Sequence, residues 1–596
     1  MKKCEKLSAL PTWDLEAIYP DAGAWEADFA KLEPLVQKFA ACKGRLAESG
    51  EMFRRAIECN DAADRLAEKL YTYAHLRSDE DTSVSANRAR LDRISAKFAE
   101  LSPLEAWFEP EVMAIPDERM AELLASPELA FYKRSIEELL REKKHTLSET
   151  EERLLGVLSD VLGASDEIFS TLNDTDMRFG RIKDEKGKMV TLSHGSYGRF
   201  LENPDRRVRR AAFKGLYRRY GEFRNTLAAT LDSTVKRHVA SAKIRHFDTP
   251  LQAALHPDNV PEKIYTNLIA VVRSNLDGLF DYFRLRADRL GLEKLSMYDL
   301  HTPLVPECRS EWDFAAASEA VQAALRPLGA EYGKDLLRAW DERWIDAPER
   351  PGKRSGAYSS GCYDTRPYLL LNYQNTLNDV FTLAHELGHS MHSFYSHKHQ
   401  HFHYASYEIF VAEVASITNE LLLSQYMLDN SDDPKLRAYI YGHMADEMRA
   451  TLYRQTMFAE FENFIHQAAF AGEPLTADFL CENYFKLNAE YHGPAVEPDK
   501  EIALEWSRIP HFYYNFYVYK YATGMAAAVK LSRNLLSGDK AAREAYLGFL
   551  AAGSSKDVLD ILKDAGVDLS TPAPIEAALS CFRDITANLR RELERF

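Results

Sequence analysis

The stretch FTLAHELGHSMHSFY, residues 381–395, sets His385 and His389 four residues apart, with Glu386 directly after the first. On a helix, residues i and i+4 share a face about one turn apart, so both imidazoles can approach one metal ion. Zn2+ accepts imidazole nitrogen at about 2.0–2.1 Å, and its catalytic sites keep a fourth position open. Glu386 falls to one side of that face, where it can reach a metal-activated water without ligating the metal. The pattern H-E-x-x-H also arises by chance, so the surrounding sequence has to decide. His392 makes a poor third ligand, because it lies roughly 10 Å along the axis from His385. An orienting or packing role suits it better.

The third ligand has to come from elsewhere. In YEIFVAEVASITNELLLSQYML, residues 407–428, Glu413 stands among Phe410, Val411, Val414 and Ile417, where an unpaired carboxylate is costly to bury. Ala412, Ala415 and Ser416 are small enough for this helix to approach another closely. His385, His389 and Glu413 with an open position make a catalytic type of zinc site. Glu420, seven residues past Glu413, is either an orienting acid or an ordinary helix carboxylate. His397, His399, His401 and His403 alternate in HKHQHFHY and read as a polar, solvated loop. Downstream, RIPHFYYNFYVYKYATGMAAA, residues 508–528, holds His511, Tyr513, Tyr514, Tyr517, Tyr519 and Tyr521. It is either aromatic core or a set of donors for an oxyanion, since tyrosine stays protonated near neutral pH.

The elements that must hold these residues are mostly helices. Thr376, with Asp379 three residues on, signals a helix start. Val380, Ala384, Leu387 and Met391 form the stripe that faces the core. Apolar residues at three- and four-residue spacing predict helices over 24–49, 86–108, 120–172, 206–242, 261–290 and 313–341. Residues 177–195 read as a hairpin turning at Asp184–Gly187, and 356–373 as two strands joined by a polar loop. The basic run RRVRRAAFKGLYRRYGEFR, 206–224, reads as a solvated helix face. A helical N-terminal lobe over 1–199 and a catalytic lobe over 200–596 are the expected division.

Composition narrows the class. A chain of 596 residues exceeds one simple core, and 46% hydrophobic with 28% charged residues is ordinary for a globular protein. A net charge of −16, with no basic stretch interleaved with aromatics, argues against nucleic acid. No run of 18 apolar residues suggests a membrane span, and MKKCEKLSALPTWDLEAIYP lacks the apolar core of a signal peptide. Cys4, Cys42, Cys59, Cys308, Cys362, Cys481 and Cys581 are odd in number and scattered, which suits reduced thiols and a cytoplasmic location.

LAHELGHSMH, the glutamate in VAEVASITNE, and HFYYNFYVYKYATG together resemble the thimet oligopeptidase superfamily of zinc metallopeptidases, and within it oligoendopeptidase F. LPTWDLEAIYPD and SGAYSSGCYD, with PYLLLNYQNTLNDVFTLAHELGHS, extend the likeness over most of the chain. The resemblance implies a mainly α, bilobal, clam-like ellipsoid with a deep substrate channel and a small β-sheet near the active site. It implies one Zn2+ per chain and cleavage of internal bonds in short peptides. His385, His389 and Glu413 match the family's ligands, Glu386 its general base and His511 its substrate-binding histidine. Tyr519 is placed as the transition-state tyrosine and Tyr514 as its companion, with Tyr517 and Tyr521 still open. SGAYS resembles the edge strand on which such enzymes lay a substrate backbone. One rival reading is a carboxypeptidase on a related helical scaffold, which needs a basic residue for the substrate carboxylate. Arg366 and Lys520 stand near the motifs. The other rival is a peptide-binding protein without turnover, which has no use for Glu386.

Overall fold

Apolar spacing of three and four residues becomes helix along most of the chain, and seven short strands make three small sheets among the described residues. The structure is a computed structural model that describes residues 10–305 and 312–596, so Cys4 and Cys308 lie outside it. Described residues fall into two compact units, one drawn from 1–149, 310–426 and 531–566, the other from 150–309, 427–530 and 567–596. The expected division at 199/200 is contiguous, whereas these units are interleaved. Periodicity reports local helices, and which helices pack together is decided by contacts far apart in sequence.

In the first unit, helices Ala22–Ala40, Gly50–Glu80 and Ser85–Glu105 bury Trp25, Leu32, Val36, Leu70, Tyr73 and Leu101 in one core. Tyr368 and Leu370 join that core from strand Tyr368–Tyr373. This strand is central in a three-stranded sheet and buried on both faces over Tyr368–Leu371, as that apolar run requires. Tyr358–Ser360 pairs with it antiparallel (Ser359 opposite Leu369), and Ile345–Pro348 pairs with it parallel. The two strands expected over 356–373 are both present. Ile345–Pro348 escaped the sequence reading because a four-residue strand ending in proline carries almost no periodic signal. Tyr358–Ser360 has one strand partner among the described residues, so it is an edge.

In the second unit, Arg181–Lys183 and Met189–Thr191 form the expected hairpin, with Gly187 at φ 78° in the turn. Positive φ is cheap for glycine and costly for most other residues. The basic run forms helices Arg206–Glu222 and Arg224–Ile244, but it is not simply a solvated face. Arg209 is buried and donates to Asp299 at 2.8 Å. A guanidinium can be buried when a carboxylate takes its donors, and composition cannot reveal that partner. No helix among the described residues is long and apolar enough to cross a membrane.

Candidate metal centre

Helix Leu377–His399 starts as expected: the Asp379 N–H donates to Thr376 Oγ1 at 3.2 Å, and the Asp379 carboxylate accepts from the Thr376 N–H at 2.8 Å. Val380, Ala384, Leu387 and Met391 are fully buried, which fixes the helix's rotation and turns His385 and His389 the other way. Ser390 from this helix meets Ser359 of the edge strand at 2.8 Å, hydroxyl to hydroxyl.

Helix Ile409–Asp429 crosses at Gly388. A Cβ there would lie 2.5 Å from Ser416 Cα and 2.9 Å from the Ala415 carbonyl oxygen. Only glycine on one helix and small residues on the other permit so close a crossing. Asn419 Nδ2 fastens it by donating to the Ala384 carbonyl at 3.0 Å. The crossing delivers Glu413 to the histidines. His385 Nε2 and His389 Nε2 are 3.2 Å apart, and Glu413 Oε2 lies 3.4 and 3.6 Å from them. A tetrahedral site with ligand distances of about 2.0–2.1 Å has edges of about 3.3 Å. The three donors therefore fit a zinc ion in both chemistry and spacing, and they are the one such group among the described residues.

The surrounding charges hold these groups in place. His385 Nδ1–H donates to the Glu420 carboxylate, which leaves Nε2 turned to the cluster. Burial works against charge on His385, but hydrogen bonds to Glu413 and Glu420 push its pKa up to about 10. Burial opposes charge on Glu413 too, yet the His385 bond and both imidazoles hold it down at about 2. Burial lowers His389 to about 4 and raises Glu386 to about 7. Glu386 is only 7% exposed. His392 takes no part in the cluster: it is buried against Tyr407, with ring centroids 3.8 Å apart.

Other expected positions change. His397 and His399 complete the histidine helix instead of entering a loop. His403 is bonded to Asp61 at 3.0 Å and Ser135 at 2.8 Å, a structural role that its alternating neighbours concealed. Neither basic residue weighed for a carboxylate grip is free. Lys520 pairs with Asp258 at 2.5 Å, and Arg366 pairs with Glu342 at 3.3 Å.

In the second unit, His511 is surrounded by Tyr514, Tyr517 and Tyr521, with ring centroids 5.6, 6.1 and 5.8 Å away. Tyr521 Oη lies 3.4 Å from His511 Nε2. Tyr519, placed as the transition-state tyrosine, is fully buried and packs on Tyr265. Helix Tyr519–Leu536 explains the difference. Tyr519, Ala522, Thr523 and Ala526 are all 0% exposed and form its core stripe, whereas Tyr521 sits two residues on, across the helix. Two features of the sequence carry this geometry beyond the small residues Ala415 and Ser416: Gly388, which lies opposite them, and the helical period that buries Tyr519.

Comparison with known proteins fits these observations. The model of Peptidase family M3 matches residues 199–581, and that of Oligopeptidase F matches 111–179. Oligopeptidase PepF of Bacillus subtilis is 44% identical over 580 residues, covering 97% of this chain and 87% of its own length. An oligoendopeptidase F homolog of Lactococcus lactis is 38% identical, covering 98% of this chain and 97% of its own. The crystal structure of oligoendopeptidase-F from Enterococcus faecium superposes with a TM-score of 0.75 at 38% identity, covering 96% of this chain and 99% of that one.

Proposed function

The chain belongs to peptidase family M3, as a metallopeptidase of the oligoendopeptidase F group that cleaves internal peptide bonds, and from this premise we propose that it hydrolyses short oligopeptides with one zinc held by His385, His389 and Glu413. The observation that carries this reading is the donor triangle of 3.2, 3.4 and 3.6 Å. When bound, zinc supplies a Lewis acid that makes water nucleophilic near neutral pH.

The chain's own groups do the rest. Glu386 takes the proton of the attacking water and hands it to the leaving amine. Its burial keeps bulk water from competing for that proton. Glu420 fixes the ring of His385 through Nδ1–H, so that Nε2 faces the metal in the correct tautomer. The edge strand Tyr358–Ser360 offers main-chain groups to an extended substrate by β-addition. His511, with Tyr521 and Tyr514, donates to the substrate carbonyl and the oxyanion that develops on it. Tyr519 is withdrawn from that role because its side chain is sealed in the core.

A quenched peptide with an acetylated N-terminus and an amidated C-terminus tests the proposal, assayed with and without chelator and with metal analysis of the protein. Internal cleavage that is lost with zinc and restored by it is expected. Full activity in metal-free protein, or release of terminal residues only, would overturn it.

A further inference from the structure

The second unit encloses a cavity of about 390 Å3, lined by Arg449, Arg454, Arg508 and Glu505 among aromatic and apolar residues. Its cations outnumber its acids. Glu505 binds Arg454 at 2.7 Å and lies 3.8 Å from Arg508. Behind the wall, Asp446 is shared by Arg449 at 3.2 Å and Arg286 at 3.4 Å. Four guanidinium groups thus face two carboxylates. A guanidinium cannot shed its proton to relieve such an excess, as a buried lysine or histidine can. A buried charge left uncompensated is strongly destabilising.

Arg449 shows where compensation is missing. Its side chain is 8% exposed, and only Nε has a hydrogen-bond partner among the described residues, Asp446. Arg449 lines the cavity, and its two terminal nitrogens have no hydrogen bond among the described residues. The backbone presents Arg449 and Arg454 together: a π-turn spans Arg449–Tyr453, and the Arg454 N–H reaches back five residues to the Arg449 carbonyl. In a regular α-helix two residues five apart would diverge, whereas the π-turn stacks them on one side. His301 and His492 also line the cavity. Burial lowers the pKa of His492 to about 4, and Arg449 and Arg454 act in the same direction.

We propose that this cavity is a binding site for a small oxyanion, phosphate or the carboxylate of a small organic acid, received by Arg449 with Arg454 and Arg508. The planar guanidinium fork matches either group through paired N–H donors to two oxygens, whereas a halide offers a single acceptor atom. Every lining residue lies in the second unit, and none is a ligand or proton-transfer group of the metal centre.

The test uses full-length, zinc-loaded protein. Thermal unfolding is followed in sodium phosphate, acetate or chloride at equal ionic strength. A saturable rise in Tm is expected in phosphate or acetate over chloride, and the responding arm identifies the anion. Arg449→Gln should weaken the apparent Kd about tenfold or more, as expected for hydrogen bonds to a charged group. Arg508→Gln, measured in parallel, guards against misfolding of the first variant. Equilibrium dialysis of the parent protein against labelled phosphate and labelled acetate needs no variant, and one bound anion per chain is expected. Equal Tm in all three salts, a response unchanged in both variants, or no retained anion would overturn the proposal.

Discussion

Gly388→Ala tests the helix crossing on which the metal site depends. The added methyl would meet Ser416 Cα at 2.5 Å, Ser416 N at 2.8 Å and the Ala415 carbonyl oxygen at 2.9 Å. Carbon contacts are comfortable near 3.5–4.0 Å, so the helices must part by about 1 Å. All three obstacles are backbone atoms, and no rotamer change relieves them. Glu413 rides on the displaced helix, so both of its edges, 3.4 and 3.6 Å in the parent, stretch further from the tetrahedral value of about 3.3 Å. Overpacking of this kind costs about 1–3 kcal/mol. Zinc affinity should fall at least 10–100-fold, the usual loss when a site's supporting contacts are disturbed. The assay is a zinc titration against a chelator of known affinity, with thermal unfolding of the metal-free protein alongside. Helix propensity alone predicts the opposite sign, because alanine is favoured over glycine in a helix interior by roughly 0.5–1 kcal/mol. A higher Tm with unchanged zinc affinity would therefore refute the close-contact reasoning.

Glu413→Ala should lower zinc occupancy sharply while His392→Ala leaves it near the parent value, measured by metal analysis of purified protein. Glu386→Gln should keep zinc and fold, with turnover on a quenched peptide falling by about 10²–10⁴. Tyr521→Phe should cost about 10²–10³ in kcat as a lost oxyanion donor, and Tyr519→Phe should leave kcat near normal; the reverse outcome would reassign the tyrosine. Glu462 carries the pH prediction: burial raises its pKa from 4.5 to about 8, and its Oε2 has no hydrogen-bond partner among the described residues while Oε1 accepts from the Phe516 N–H. The fold holds a proton there that the unfolded chain releases, so Glu462 lowers stability as pH rises from 4.5 to about 8. Glu462→Gln should raise Tm at pH 9, with the gain vanishing near pH 4.5, as thermal unfolding across that range would show.

What was legible in the sequence was local. A capping box needs two residues three apart, and a helix face needs four, so Thr376, Asp379, His385 and His389 announced their own geometry. The hairpin at 181–191 was legible for the same reason. Glu413 could be inferred from cost: a carboxylate among Phe410, Val411 and Val414 needs a partner, and two imidazoles lacked one. The interleaving of segments into two units had no such signal, because it rests on contacts between residues hundreds of positions apart, such as Tyr368 against Trp13. Arg209 and His403 were misread for a related reason. Their neighbours in sequence are polar, but their partners, Asp299 and Asp61, lie elsewhere in the chain.

In the tyrosine segment the local geometry changes within a few residues, and with it the face that each phenol occupies. Reading 511–521 as a continuous aromatic run treats every phenol as equally placed. The chain instead passes from a 3-10 turn at Pro510–Tyr513, through Asn515 and Phe516 at positive φ, into a helix at Tyr519. That change of geometry sends Tyr519 inward and leaves Tyr514, Tyr517 and Tyr521 around His511. Non-glycine residues at positive φ are strained and persist only when their surroundings fix them. Here the Phe516 N–H is held by Glu462, and the Phe516 ring packs on His466, 4.4 Å between centroids. The buried acid of the pH prediction thus also anchors the bend that selects which tyrosines face His511. Glu462→Gln keeps the acceptor and should preserve that selection, whereas Glu462→Ala removes it. If Tyr521 has the role assigned to it, Glu462→Ala should lower kcat with zinc retained, and Glu462→Gln should not. Equal kcat in the two variants would separate the bend from the chemistry.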